Sequence, residues 1–242
     1  MAKHLLSLHD INKLPTDGYI IFPISMSRIT NAQSAEQCYK TIQFLETKMS
    51  LPGVDGVFLY TNGLYYNNDE PALKVRKKTN QQMMDHKNSL LKLVNKNKKY
   101  VPQSMHFIPW DYVVLNAPDF PDFLARLKKT FTIDVVFASL VREDLKERKE
   151  TEANIAFLFE EIAINHIIRQ RLVDFPKTLV KQDKFRLFVY PGEYMKSDLY
   201  QWKMKLLPQK QTKENNNNPF YASQYNLDKK IIYNFDELMK EV

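Results

Sequence analysis

The sequence predicts an α/β domain built on a mainly parallel sheet, and three observations lead there. Gly18-Tyr-Ile-Ile-Phe-Pro-Ile24 and Val57-Phe-Leu-Tyr60 are short apolar runs of strand length. Between them Ala35, Cys38, Tyr39, Ile42 and Leu45 recur at helical intervals, behind Ser34-Ala-Glu-Gln37, which has the spacing of a capping box. A strand–helix–strand order favours parallel pairing through a right-handed crossover, because a right-twisted strand followed by a right-handed helix packs back onto the sheet that way.

The remaining elements follow in order. Asn67-Asn-Asp-Glu-Pro71 opens a long helix over 71–96, with Pro71 in the first turn, where its missing N–H leaves nothing unsatisfied. Met105-His-Phe-Ile108 is a third strand. Residues 119–130 and 134–171 are expected to be helical, the second stretch broken near Arg148. Phe185-Arg-Leu-Phe-Val-Tyr190 is a late strand closed by Pro191-Gly192. Residues 208–219, with Asn215 to Asn218, read as a flexible loop, and Phe235–Val242 as a short helix. No internal repeat or long linker divides the 242 residues, so a single catalytic domain over 1–242 is expected.

Hydrophobic residues make up 44% of the chain, enough for a globular core. The lone Cys38 has no internal disulfide partner and falls on the apolar side of its helix, which fits a buried thiol in a reducing compartment. No 18-residue apolar run is present, and MAKHLLSLHD lacks the apolar core of a signal peptide, so a cytoplasmic protein with no membrane contact is expected. The five histidines show no ligand spacing, so no metal is expected.

Net charge is +7, and its location says more than its size. Residues 71–100 hold nine basic residues and one acid, or +8; the rest of the chain is −1. Taking Val94 as the centre of the helix's apolar face, Met83, Leu90 and Leu91 fall within about 60° of it, at 100° per residue. Lys74, Lys78, Lys92 and Lys96 fall opposite, along roughly 33 Å of axis. With Arg76, Lys77 and Lys87 they form a basic surface suited to nucleic acid. A plain solvated face would normally interleave acids.

Two places could carry chemistry. Ser25 and Ser27 follow the first strand, at the edge where open α/β sheets bind ligands; either could be a nucleophile, a phosphate-binding hydroxyl or a turn residue. Glu160-Glu161 interrupt an apolar helix, and adjacent residues differ by about 100°, so only one can face inward. An inward carboxylate needs a partner or a task. No G-x-S-x-G elbow, Walker loop or G-x-G-x-x-G is present. Lys48-Met49-Ser50 lacks the rest of the class I synthetase ATP signature, so no ATP site and no cofactor are expected.

Taken in order, these features resemble the tRNA-dependent cyclodipeptide synthases. They are Ser25-Met-Ser-Arg28 after a strand, the basic helix, Trp110 after a third strand, Phe157-Leu-Phe-Glu-Glu161, and Phe188-Val-Tyr190-Pro191. The resemblance spans about residues 18–200. It implies a Rossmann-like domain similar to the catalytic domain of class I tyrosyl- and tryptophanyl-tRNA synthetases. It also implies two aminoacyl-tRNA substrates and a cyclic dipeptide product. Ser25 then matches the nucleophile, Glu161 the acid that handles the substrate amine, and Tyr190 the late active-site tyrosine. Arg28 and the Tyr190-Pro191 pair resemble the Tyr-Pro subfamily. Where the family usually has tyrosine, four residues before the glutamate, this chain has Phe157, so either another hydroxyl substitutes or Glu160 is the working acid. Strand alternation groups Ile21, Pro23 and Ser25 on one side, and Phe188 with Tyr190, as a pocket suited to apolar aminoacyl groups. A monomer is expected. The alternatives are a non-catalytic tRNA- or RNA-binding protein and an RNA-directed methyltransferase, the latter disfavoured by only five glycines.

Overall fold

The computed structural model describes residues 18–49, 54–63, 72–97, 105–169, 185–209, 223–229 and 231–233. Strands β1 (Gly18–Ile24), β2 (Val54–Tyr60), β3 (Met105–Pro109), β4 (Phe185–Tyr190), β5 (Ser223–Asn226) and β6 (Ile231–Tyr233) form one sheet. Their order is β3-β2-β1-β4-β5-β6. All neighbours pair parallel except β5 and β6. This strand order is that of a doubly wound dinucleotide-binding fold, with the last strand reversed.

Helices α1 (Ala35–Met49) and α2 (Ala72–Lys96) are the crossovers between the first three strands. Then α3 (Trp110–Leu115), α4 (Phe120–Ile133), α5 (Val135–Leu145) and α6 (Glu152–Arg169) precede β4, and α7 (Lys196–Lys203) follows it. The anticipated break near Arg148 is present between α5 and α6. Helices α3 and α7 and strands β5 and β6 were not anticipated. Pro71, the 208–219 loop beyond Gln209 and the 235–242 helix lie outside the described residues.

Strand alternation divides the core. Ile20, Phe22 and Ile24 pack with Phe58, Tyr60, Leu187 and Val189 against α1 and α2. Phe22 stacks on Phe58 at 4.8 Å and Phe58 on Phe107 at 5.2 Å. Ile21, Val57, Leu59, Ile108 and Phe188 face the other way, towards α3 to α6. Burial on both faces explains why these strands read as continuous apolar runs. The Ser34 hydroxyl accepts from the Gln37 N–H at 3.4 Å, one arm of the expected capping box. Cys38 is buried, and burial pushes its thiol up to about 12, so it is inert at neutral pH.

Candidate active site

The strand order reverses between β1 and β4, and such a switch point leaves a crevice beyond the carboxyl ends of its two strands. Here their pairing stops at Ile21 and Phe188. Beyond that pair an open cleft is lined by Pro23, Phe188 and Tyr190 from the sheet. Its opposite wall comes from Glu161, Asn165 and Arg169, spaced four residues apart on one face of α6 and joined by Asp198 of α7.

Ser25 is the first residue after β1 and is buried, whereas Ser27 is exposed. Their hydroxyls are 2.9 Å apart. A tight turn holds them, with the Arg28 N–H donating to the Ser25 carbonyl at 2.9 Å. Buried Gln33 clamps that turn: its side-chain carbonyl accepts from the Ser25 N–H at 2.9 Å, and its amide donates to the Pro23 carbonyl at 2.5 Å. The Gln33 backbone carbonyl accepts from Nε2 of His86 on α2, at 3.0 Å. His86 Nδ1 then accepts from the Tyr60 hydroxyl at 2.8 Å. That arrangement requires a neutral ring, and burial lowers the His86 pKa accordingly.

Tyr190 closes the cleft at the end of β4. The Arg28 guanidinium lies 5.6 Å from its ring centre and donates to the Pro191 carbonyl at 2.7 Å. Gly192 follows at φ +113°, a conformation that side chains disfavour, and Asn226 of β5 donates to its carbonyl at 2.8 Å. The chain can therefore turn sharply behind Tyr190 and Pro191.

Glu161 is half-buried at the cleft wall, and burial pushes its carboxyl up to about 7. Arg148 opposes that shift most strongly, with Arg28 also lowering it; Asp198 and Asp144 raise it further. Glu160 is half-buried too, and burial raises its pKa as well, but it does not line the cleft. The Trp110 indole N–H lies close enough to Glu160 to pull its pKa down without completing a well-formed hydrogen bond. Neither glutamate is at the open solvent edge, and of the two Glu161 is the one in the cleft.

No protein-family model and no curated protein matches the chain. Solved structures do. A cyclodipeptide synthase (CDPS) from Fluoribacter dumoffii superposes with a TM-score of 0.57 at 13% identity, covering 83% of this chain and 88% of that one. A CDPS from Staphylococcus haemolyticus gives 0.54 at 13% identity over 86% and 91%. A cyclodipeptide synthase from Bacillus thermoamylovorans gives 0.52 at 11% identity over 86% and 91%. The chain shares their fold. At this level of identity the likeness concerns the fold alone.

Within that cyclodipeptide-synthase fold, some expected positions move. Ile21 is fully buried beneath the cleft rather than lining it, and Pro191 is buried behind Tyr190. Phe157 is also in the core, with the Arg148 guanidinium 4.5 Å from its ring centre. The cleft is less apolar than the alternation of β1 and β4 suggests, because α6 and α7 supply Glu161, Asn165, Arg169 and Asp198. Arg169 and Asp198 form a buried ion pair at 2.6 Å, and the guanidinium lies over both Phe188 and Tyr194. Sequence reasoning missed Gln33, His86, Asn165, Arg169 and Asp198; the tertiary fold brings the first two to the serine turn and the other three to the cleft. His166 is buried, with Nε2 donating to the Pro208 carbonyl at 2.8 Å.

Along α2, Lys74, Arg76, Lys77, Lys78, Lys92 and Lys96 are exposed, while Leu90 and Val94 are buried. Lys87 differs from the rest. It is half-buried, with Nζ 5.2 Å above the Phe107 ring, because it falls within about 20° of Val94 on the helical wheel. Among the described residues no cluster of His, Cys, Asp or Glu could hold a metal, and no helix is long and apolar enough to cross a membrane.

Proposed function

We propose that this chain is a tRNA-dependent cyclodipeptide synthase of the Tyr-Pro type, a single-domain aminoacyltransferase acting as a monomer in the cytoplasm. Its substrates are two aminoacyl-tRNAs, and its product is a 2,5-diketopiperazine. The observation that carries the proposal is the switch-point cleft: Glu161, raised by burial to about 7, lines it with Pro23 of β1 and Tyr190 of β4, and Ser25 is the residue that follows β1. A carboxyl with that pKa is poised to exchange protons with an amine near neutral pH.

An aminoacyl-tRNA ester is already activated, so ATP is not needed. Ser25 Oγ attacks the ester carbonyl, and the ribose oxygen leaves with the serine proton, which Ser27, at 2.9 Å, can relay. The bound aminoacyl group carries an ammonium, and Glu161 takes one proton from it. The freed amine attacks the second ester, releasing the second tRNA and leaving a dipeptidyl group on Ser25. Glu161 gives its proton up to solvent and then deprotonates the new amine, which attacks the Ser25 ester. The ring closes, and Ser25 Oγ recovers a proton. The sequence is ping-pong, with Tyr190 placed to hold the substrate backbone. The Arg169–Asp198 pair and Asn165 give the cleft polar anchors beside Phe188 and Pro23.

Expression in a bacterium, which supplies every aminoacyl-tRNA, should put cyclic dipeptides into the medium, detectable by mass spectrometry. Their absence, with tRNA binding intact, would favour the non-catalytic RNA-binding alternative.

The exposed face of α2 is proposed to hold tRNA. Affinity from such contacts falls with salt, with a slope of roughly 0.7–0.9 per phosphate neutralised, so reversing Lys74 and Lys78 to glutamate should raise the KM for aminoacyl-tRNA and flatten that dependence. An unchanged affinity and an unchanged slope would make the stripe a solvated surface.

A further inference from the structure

The α6 wall of the cleft is a ladder of polar groups. Glu161, Asn165 and Arg169 all line the cleft, each about 6 Å further along the helix axis than the one before. Long side chains on a helix lean towards its N-terminus, so the Arg169 guanidinium reaches back along the same face. There it meets Asp198 of α7 at 2.6 Å and lies 5.5 Å from the ring centre of Phe188, which lines the same cleft. Arg169 and Asp198 are 2% and 1% exposed and form a buried floor, whereas Asn165, one turn nearer Glu161, is half-buried.

That floor is braced from behind. The fully buried Gln201 donates through its amide to Asp198 Oδ1 at 3.3 Å and to His166 Nδ1 at 3.4 Å. Among the described residues, Asp198 Oδ1 thus receives one long bond from a neutral amide, and a carboxylate oxygen can accept two.

The charges decide which side chain such a wall accepts. Glu161, Glu193 and Asp198 repel an anionic one. A cationic one meets the Arg169 guanidinium, while Asp198 is already matched by Arg169 and Glu193 by Lys229. An aliphatic one strips water from the Asn165 amide and the Asp198 carboxylate and returns no hydrogen bond. A neutral side chain with both a donor and an acceptor satisfies both groups, and its methylenes rest on Phe188 and Met195.

We infer that Asn165 and the Arg169–Asp198 pair are specificity-determining residues, selecting an aminoacyl group with a neutral hydrogen-bonding side chain, best matched by a carboxamide. The inference rests on the function proposed above. With the substrate amine at Glu161, an asparagine or glutamine side chain has the length to reach Asn165 one turn away.

The test measures binding of one tRNA body carrying asparagine or leucine through a stable 3′-amide, two side chains of nearly the same shape. Wild type should bind the asparaginyl form about tenfold tighter or more, because a site built for hydrogen bonds rejects the analogue that lacks them. Asn165→Leu should remove most of that preference. Arg169→Met combined with Asp198→Leu removes both charges together, leaving neither buried and unpaired, and should shift the preference towards leucine. A merely structural role would weaken both ligands equally and leave their ratio unchanged. Should the double variant fail to fold, the ratio in Asn165→Leu decides. Equal or tighter binding of the leucyl form by wild type, or an unchanged ratio in Asn165→Leu, overturns the inference. Given asparaginyl- and leucyl-tRNA together, the enzyme should put asparagine into its cyclic dipeptide. A wild-type protein that makes no cyclic dipeptide from any aminoacyl-tRNA sinks the function instead, and the binding ratio still decides the selectivity of the cleft. Binding of neither tRNA overturns both.

Discussion

Glu161→Gln should abolish cyclodipeptide formation at every pH and raise the melting temperature at pH 8 by several degrees. The loss follows from removing the proton acceptor in the cleft. The gain follows from the direction in which burial moves the carboxyl. Burial raises it from 4.5 to about 7, so the native state holds this proton more tightly than the unfolded chain does. A group raised in this way supports the fold at pH below its unfolded value, and that support is lost as pH rises through the folded one. Each tenfold change in proton affinity is worth about 1.4 kcal/mol, so at pH 8 the ionised group costs at most ~3 kcal/mol, less what cleft water screens. Glutamine has no such cost. At about pH 4, where native Glu161 is neutral, the two proteins should melt alike. Thermal melts at both pH values read this directly, and a variant less stable at pH 8 would refute the electrostatic account. Glu160→Gln is the control. Glu160 is outside the cleft, so its product yield should be retained, and the opposite pattern would transfer the acid role to Glu160.

Ser25→Ala should reduce covalent capture to background. Incubation with radiolabelled aminoacyl-tRNA should leave label on the wild-type protein and none on this variant. Ser27→Ala should still be labelled, more slowly, because only a relaying hydroxyl is lost. Folding should survive, since the Ser25 N–H bond to Gln33 stays and the bond to Ser27 contributes about 1 kcal/mol at most. Label that persists in Ser25→Ala and vanishes in Ser27→Ala would move the nucleophile two residues along.

What the sequence made legible was whatever repeats locally. The apolar runs of β1 to β4 and the helical periodicity of α1, α2 and α6 come from burial on known faces. The elements that escaped have no such pattern. Helix α7 reads Lys-Ser-Asp-Leu-Tyr-Gln-Trp-Lys, and its first N–H groups are satisfied by Asp144 from α5, which accepts from Lys196 and Ser197 at 3.1 and 2.8 Å. A cap drawn from 53 residues away leaves no local trace. Strand β5 is polar, Ser-Gln-Tyr-Asn, and is held by pairing with β4 and β6. The same division runs through the candidate site. Ser25 and Ser27 stand out because they follow a strand, and Glu160-Glu161 because they break an apolar helix; the choice of Ser25 and Glu161, and the inclusion of Tyr190, come from the family resemblance. The apolar pocket was misjudged because Arg169 and Asp198 meet across 29 residues of sequence, which no alternation pattern reports.

The chain of contacts from Ser25 through Gln33 and His86 to Tyr60 sets a rule for anyone grafting parts between proteins of this fold. Gln33 belongs to the loop, His86 to the lysine-bearing helix and Tyr60 to a neighbouring strand, yet the three fit together as interlocking pieces. A serine loop transplanted alone would arrive without its bracing, and a transplanted helix would leave the loop unbraced. Chimeras should keep their shape only when all three residues travel together. The helix proposed to grip tRNA is thereby clamped to the loop that holds the serine, so the distance between grip and reaction is fixed like the throat of a caliper.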